Sequence, residues 1–504
     1  MNTITVFRGV VAVCFALQFI SCVDAPAKKI KQSKTGEIFK KQRPNIIVIL
    51  CDDLGYADVG FNGAKDIKTP ALDQLAHAGT IITSGYVPHP FCGPSRAGIM
   101  TGRYPHTIGA QYNLPPNTTG LQNIPVVDSI EQGISLKETF ISKMLQESGY
   151  YTGAIGKWHL GATPKYHPNQ RGFDEFYGFL GGGHSYFPDH FRPIYEGRKK
   201  VKKVYDYDYL LPLEHNGKQV DEKEYITDGL SREAVNFVEK ASKKEEPFFL
   251  YLAYNAPHTP LEAKEEDIQK YNHIEDKNRR IYAAMVHAVD RGVGELVLGL
   301  KATGEFDNTL IIFLSDNGGR TDKGASNFPL KGRKGNTLEG GFRVPMFFHW
   351  PNHVTAGKTY DYPVSALDFY PTFAKLAGVE IPETKVIHGK DIWKSFIAGN
   401  NPRKGETIFA LRHRERSNEV GMRQDHWKAY KGENTPWELF NIVNDIGEKK
   451  DLSKKYPEKL NEMVKLTHQW SQKHAEPKWF HDKETGVKWI NSNMPDFDKT
   501  FKIH

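Results

Sequence analysis

Cysteine is scarce in this chain. Cys14, Cys22, Cys51 and Cys92 are spread over 504 positions, too few for a disulfide-stapled fold and without the paired spacing of a structural zinc site. Long apolar runs are missing as well. "GVVAVCFALQFI" near the N-terminus is short for a bilayer span, and no later stretch is a transmembrane candidate. Nor does the body carry charge of one sign. The formal net charge is +7, but residues 26–44, "PAKKIKQSKTGEIFKKQRP", supply +6 of it and residues 1–25 sum to zero, leaving about +1 elsewhere. The basic stretch reads as a solvated tether. No DNA- or RNA-binding signature accompanies it, so nucleic acid is set aside as a partner.

What is present suits a globular protein. The chain is 39% hydrophobic, 12% aromatic and 25% charged, enough for a large core. Its length fits one large domain with a smaller one, or two to three average domains. Residues 1–25 have the charged start, short apolar run and small-residue end of a signal peptide. Two processing routes fit: cleavage after Ala25, or lipidation of Cys22, because "FISC" resembles a relaxed bacterial lipobox. Both predict an exported protein, periplasmic or a membrane-anchored lipoprotein, with membrane contact only through the lipid anchor. A basic linker follows at 26–43.

Several apolar runs lead straight into polar residues. "NIIVIL" gives a strand at 46–50 and then Asp52-Asp53. "YTGAIGKWHLG" gives a short strand and then Lys157 and His159. Strand 248–254 is followed by Asn255 and His258, and strand 309–314 by Asp316-Asn317-Gly318; "VPMFFHWP" is a further buried strand. Continuous apolar runs suit parallel strands covered on both faces. Helical patterns at 70–78, 135–148, 229–242, 276–303 and 365–377 alternate with them. The fold class is therefore α/β, a large mostly parallel sheet flanked by helices over residues 44–394. In such sheets ligands sit beyond the carboxyl ends of the strands, so these scattered residues converge on one edge. The texture changes near residue 395. Short strands at 406–412, 419–423 and 426–431, the turn "ELFNIVNDIGEKKDL" and a helix at 456–473 predict a smaller C-terminal α+β domain, 395–480. The tail, 481–504, shows no clear pattern.

Asp52-Asp53 and Asp316-Asn317 offer three carboxylates and an amide, hard oxygen donors that suit Ca²⁺, or less well Mg²⁺, better than Zn²⁺. Cys92 opens "CGPSR", where Pro94 marks the first turn of a helix. A helix start favours a bound anion, and Arg96, Lys157 and Lys334 add cations. His159 and His258 are acid and base candidates. A zinc site of Cys92, His159, His258 and an Asp is the rival, opposed by those neighbouring cations.

Cys92-Gly93-Pro94-Ser95-Arg96 with Thr101-Gly102-Arg103 resembles the C-x-P-S-R-x-x-x-L-T-G-R signature of the formylglycine-dependent (type I) sulfatases of the alkaline phosphatase-like superfamily. "GKWHLG" at 156–161, Asp52-Asp53, "APH" at 256–258, "SDNGG" at 315–319 and "GRKGNTLEGGFRVP" at 332–345 resemble further segments of that family. Met100 stands where the family usually has Leu, a conservative swap. The resemblance implies that a separate formylglycine-generating enzyme oxidises Cys92 to an aldehyde (3-oxoalanine). One hydroxyl of its hydrate attacks sulfur and the other later expels sulfate. It makes Asp52, Asp53, Asp316, Asn317 and the modified Cys92 the Ca²⁺ ligands. Arg96 and Lys157 hold the diol and sulfate, His159 takes the second hydroxyl's proton, and His258 with Lys334 assists the leaving oxygen. The implied activity is sulfate-ester hydrolysis. Export favours a sulfated carbohydrate substrate, a marine algal polysaccharide such as ulvan, carrageenan or fucoidan before a glycosaminoglycan. His184, Ser185, His190 and Arg320 are the candidates for gripping the sugar. The alternatives are a phosphonate monoester or phosphodiester hydrolase of the same superfamily, and a non-catalytic glycan-binding protein.

Overall fold

Residues 43–114, 133–201, 208–413 and 418–491 are described by the structure, a computed structural model. The signal-peptide and Cys22 readings, and nearly all of the linker, lie outside the described residues. Five parallel strands form the centre of a ten-stranded sheet: β1 (Asn45–Cys51), β2 (Tyr151–Lys157), β3 (Glu175–Phe179), β4 (Phe248–Ala253) and β5 (Thr309–Ser315). Their spatial order is β5-β1-β4-β2-β3. A sixth strand, β6 (Met346–His349), runs antiparallel to β5, and short strands extend the sheet on both sides.

Every residue of β1 and β5 is buried. The period of two divides them cleanly. Ile46, Val48 and Leu50 pack into one core with Leu310, Ile312 and Leu314, whereas Ile47 and Ile49 enter a second core with Ile311 and Phe313. Two cores, one on each face, are what a parallel sheet covered by helices requires. The helix α1 (Cys92–Thr101) has all ten residues buried and lies on the first face, while the long helices α2 (Ile226–Ala241) and α3 (Lys277–Ala302) cover the second. Among the described residues no helix is long and apolar enough to cross a membrane.

The C-terminal region is a four-stranded antiparallel meander: β7 (Thr407–His413), β8 (Asn418–Gln424), β9 (Trp427–Lys431) and β10 (Trp437–Asn441). The helix α4 (Pro457–Ser471) packs on it. Three local expectations needed correction. The segment 135–148 is helical only over Ile141–Glu147. The Arg171 guanidinium takes the carbonyls of Ile134, Ser135 and Glu138 as acceptors and holds the chain out of a helix. The first four residues of the expected turn, 438–441, belong to a strand, Trp437–Asn441. The patternless tail contains a helix, Lys483–Asn491.

Candidate active site

Four adjacent strands deliver the polar residues to one edge of the sheet. Cys51 and Ser315 are register partners on β1 and β5, so Asp52 and Asp316 leave the sheet side by side. The Asp316 amide donates to the Cys51 carbonyl at 2.9 Å. Lys157 closes β2, and Asn255 and His258 follow β4. The helix α1 begins at Cys92 itself, two residues before the expected start, so residue 92 occupies the dipole's positive end. Asp53 (φ 64°) and His159 (φ 60°) both adopt left-handed backbone. That conformation is costly away from glycine and clusters at functional sites. The loop bearing Lys334 is fastened from both sides: Lys334 N–H donates to the Gly319 carbonyl at 3.2 Å, and Gly335 N–H to the Pro90 carbonyl at 2.9 Å. Gly318 permits this approach, because a Cβ there would lie 1.9 Å from the Gly340 carbonyl oxygen.

The side chains interlock by charge. Arg96 is wholly buried; its Nε donates to Asp316 Oδ2 at 2.9 Å and its Nη1 to the Lys157 carbonyl at 2.8 Å. Lys157 pairs with Asp52. Lys334 Nζ sits 2.7 Å from Asp53 Oδ1 and 3.1 Å from Cys92 Sγ. Burial opposes ionisation of Asp52, but Lys157, His258, Arg96 and Lys334 outweigh it and hold that carboxyl well below the usual range. Asp316 goes the other way: burial, then the Asp52 charge, push it up to about 7. Formally Arg96, Lys157 and Lys334 match the three carboxylates, so burial is what makes ionising Asp316 beside Asp52 costly.

Ligand-capable atoms of Asp52, Asp53, Cys92 and His258 lie within 4.8 Å of one another. Asn317 Nδ2 donates to Asp53 Oδ1 at 2.6 Å, while its buried Oδ1 has no hydrogen-bond partner among the described residues. An orphaned amide oxygen beside three buried carboxylates fits an oxygen-bound divalent cation.

Cys92 is not in a disulfide, and neither is Cys51. Burial, with Asp52 3.3 Å away, pushes the Cys92 thiol up to about 12. It keeps its proton at neutral pH, unlike thiolate nucleophiles, whose pKa is lowered. His258 Nδ1 donates to the Thr259 carbonyl at 2.7 Å, which leaves Nε2 for the site, 3.6 Å from Asp53 Oδ2. Burial lowers this imidazole to about 4, with Asp52 opposing. Burial, then Lys157 and Arg96, push His159 well below its ordinary value, so it is neutral. Its ring lies over Gly93, where a Cβ would be 3.5 Å from Cε1.

The expected sugar-gripping residues do not join this cluster directly. His184 is buried, stacked on Phe191 at 4.2 Å, and with Ser185 lines a separate cavity of about 450 Å³. His190 is exposed and bonded to Glu262 at 2.7 Å. Arg320 pairs with Asp322; that partner first, with a contribution from Asp53, holds its charge above the ordinary value. Sequence reasoning missed Tyr209, whose ring stands edge-on to His258 at 5.9 Å. It lies in "VYDYDYLL", which carries no motif. Glu419 of β8 was missed too. Its Oε1 accepts from Thr337 N–H at 2.9 Å and from Asn336 Nδ2 at 3.2 Å, which braces the Lys334 loop.

Residues 44–379 match the sulfatase family model. The chain belongs to the sulfatase family. Residues 334–475 of this sulfatase also match the model described as N-sulphoglucosamine sulphohydrolase, C-terminal, which overlaps the first across the Lys334 loop. The sulfatase is 34% identical over 441 residues to the uncharacterized sulfatase YdeN of Escherichia coli (strain K12), covering 75% of this chain and 72% of that one. It is 32% identical over 365 residues to N-acetylgalactosamine-6-sulfatase of Mus musculus, covering 71% and 67%. A solved structure, that of Ps i-CgsB in complex with k-i-k-neocarrahexaose, is 57% identical with a TM-score of 0.88 over 92% of this chain and 100% of that one. The expected α/β fold and sulfuric ester hydrolase activity are thereby borne out.

Proposed function

We propose that this sulfatase removes sulfate from carrageenan-type sulfated galactans outside the cytoplasm. The observation that carries the substrate reading is the 57% identity to the protein solved with a neocarrahexaose. The leader-like residues 1–25 motivate export, through cleavage after Ala25 or lipidation at Cys22. A maturation enzyme would convert Cys92 to formylglycine, and Asp52, Asp53, Asp316 and Asn317 with residue 92 would hold Ca²⁺; together these groups supply a hydrated-aldehyde oxygen nucleophile and a polarising charge. The protonated, buried Cys92 thiol favours that reading over thiolate chemistry.

The remaining work falls to ordinary side chains. Arg96 orients Asp316 and ties it to the end of β2 through the Lys157 carbonyl. Lys157 and Lys334 place ammonium groups on Asp52 and Asp53, flanking residue 92. Preorganised cations at the point where charge develops stabilise a transition state without reorganisation. His258, held through Nδ1–H, presents a bare Nε2 in the free site; the negative charge of a bound sulfate ester would favour its protonation, and that proton can then pass to the departing alcohol oxygen. Neutral His159, beside Gly93, accepts the proton on the nucleophile's side.

The test is sulfate release from carrageenan oligosaccharides, glycosaminoglycan disaccharides, an aryl phosphonate and a phosphodiester, using enzyme produced with a maturation enzyme. Release from carrageenan alone supports the reading. Turnover of only the phosphorus esters, or of nothing, would replace it with one of the two alternatives.

A further inference from the structure

Lys334 needs a fixed backbone if its ammonium is to stay between Asp53 and residue 92. The C-terminal meander grips the residues after it: Arg412 takes the Gly335 carbonyl and Glu419 the Thr337 amide. Before it stands Gly332, in left-handed backbone at φ 89°, and no strand or helix spans 331–338.

On this upstream side one side chain takes over. Asn327 is 2% exposed and makes four hydrogen bonds. Its Oδ1 accepts from Gly319 N–H at 2.9 Å and from Tyr56 N–H at 3.3 Å. Its Nδ2 donates to the Gly319 carbonyl at 3.0 Å and to the Gly332 carbonyl at 3.1 Å. Two N–H groups facing one end and two carbonyls facing the other allow a single orientation of the amide, with every bonding position filled. The Gly319 carbonyl also accepts from Lys334 N–H at 3.2 Å, so Asn327 and the Lys334 backbone share an acceptor.

The segments it joins carry the groups around the Lys334 ammonium. Tyr56 lies just beyond Asp53, Gly319 just beyond Asn317, and Gly332 just before Lys334. The first two segments meet backbone to backbone: a Cβ on Gly319 would lie 2.7 Å from the Gly55 Cα. Hydrogen bonds, not packed side chains, therefore set their spacing. Ser326 repeats the tie, its N–H donating to Asp58 Oδ2 at 2.9 Å and its carbonyl accepting from Ala57 N–H at 2.9 Å. All four partners of the Asn327 side chain are backbone groups, so it can act only through what those segments carry.

We propose that Asn327 is a positioning residue for the sulfatase reaction, one that sets the Lys334 ammonium against Asp53 and residue 92 by fixing the segments behind them. The proposal rests on the role given to Lys334 above. A misplacement of about 1 Å can cost ~10²-fold in rate, and Asn327 is bonded two residues from the group it places.

The test is a double-mutant cycle on the mature enzyme, read as sulfate release from whichever ester of the panel above it turns over. Asn327→Ala should lower kcat ~10²-fold with KM changed less than about threefold. Asn327→Asp keeps the volume and the Oδ1 acceptor without the Nδ2 donor; it should lower kcat about tenfold or more, and it replaces the alanine throughout if the alanine does not fold. Val238→Ala, at a buried core position on α2, should lower the melting temperature and keep kcat within about twofold. Melting curves fix an assay temperature at which each variant is folded. In a Lys334→Ala background the Asn327 substitution should cost less than about threefold, because the group it positions is gone. A folded Asn327 variant with wild-type kcat, or losses that multiply in the double variant, overturns the positioning role and leaves that of Lys334 standing. Wild-type kcat in Lys334→Ala, or a wild-type enzyme inactive on the whole panel, withdraws both.

Discussion

Chelation of the mature enzyme should lower its melting temperature, and calcium should restore it in a pH-dependent way. At a concentration one hundred times its Kd, a ligand that binds only the folded state stabilises by about 2.7 kcal/mol. Unfolding entropy of roughly 2.1 cal/mol/K per residue across 504 residues converts about 1 kcal/mol to one degree, so the upward shift is ~3 °C. Asp316 sets the pH dependence. Burial and the Asp52 charge push its carboxyl up to about 7 in the cation-free site, above the unfolded value near 3.9. The group then works against folding as pH rises between those values. A cation binds only its ionised form and reverses that cost. Below pH 7 each unit costs up to about tenfold in affinity. From pH 7 to pH 6 the ionised fraction falls about 5.5-fold, so calcium fixed at one hundred times the pH 7 Kd becomes about eighteen times Kd, and the gain falls to about 1.7 kcal/mol. The assay is a differential scanning melt at both pH values with chelator, Ca²⁺, Mg²⁺ or Zn²⁺, repeated on Asp316→Asn. That variant should lose most of the shift and its pH dependence. A shift produced by zinc and not calcium, one that grows as pH falls, or one unchanged in Asp316→Asn would refute the reasoning.

Other outcomes follow from the same geometry. The tryptic peptide holding Cys92 should show the mass loss of thiol-to-aldehyde conversion when a maturation enzyme is present, and Cys92→Ala should abolish turnover; full activity of that variant sinks the nucleophile assignment. His258→Ala should lose ~10²–10⁴-fold on a sulfated sugar and much less on nitrophenyl sulfate, whose leaving group needs no proton; equal losses on both remove its role as acid. His159→Ala should accumulate a sulfated enzyme, visible by intact-protein mass spectrometry, with either substrate. Lys428→Ala should cost ~3–5 kcal/mol, or ~3–5 °C by the conversion above, because it leaves the buried carboxylates of Glu339 and Glu448 without their shared cation; a melt within 1 °C of wild type contradicts that.

The sheet and its catalytic edge were legible because each central strand is a continuous apolar run ended by a reactive residue. A strand buried on both faces can be written no other way, and β1 and β5 match their expected limits within a residue or two. What escaped was set by contacts distant in sequence. Residues 135–140 have helical periodicity, but the carbonyls of Ser135 and Glu138, with that of Ile134 just before them, answer to Arg171. Tyr209 and Glu419 carry no local signal, since what places them is the packing of segments far from either. His184 and Ser185 stand out in the sequence only as reactive side chains in a glycine-rich stretch. The aromatic stack on Phe191 that holds His184 depends on a helix, Pro188–Lys200, that the sequence reading did not register.

The dependence of the catalytic edge on the C-terminal domain follows from how Lys334 is held. Its loop has no strand or long helix of its own; Glu339–Phe342 is a single turn. The loop is instead fixed by what surrounds it. Glu419 takes the backbone of Thr337, the Arg412 guanidinium takes the Gly335 carbonyl, and Lys428 reaches Glu339 at 2.8 Å. Glu339 also accepts from the Tyr86 hydroxyl at 2.6 Å, and Arg423 of β8 donates to that hydroxyl at 2.8 Å. The meander therefore reaches Tyr86 and the Lys334 loop through buried charge as well as through the packing of Leu338 on Tyr430 and Phe440, and in such a setting a missing partner costs far more than an exposed ion pair contributes. Arg96 and Lys157 stand on the catalytic sheet and its covering helix, whereas Lys334 is held from both sides, by the Gly319 and Pro90 carbonyls and by Glu419 and Arg412 of the meander. Because Lys334 also pairs with Asp53 at 2.7 Å, a shift of the meander would disturb that ion pair and the acidic cluster together.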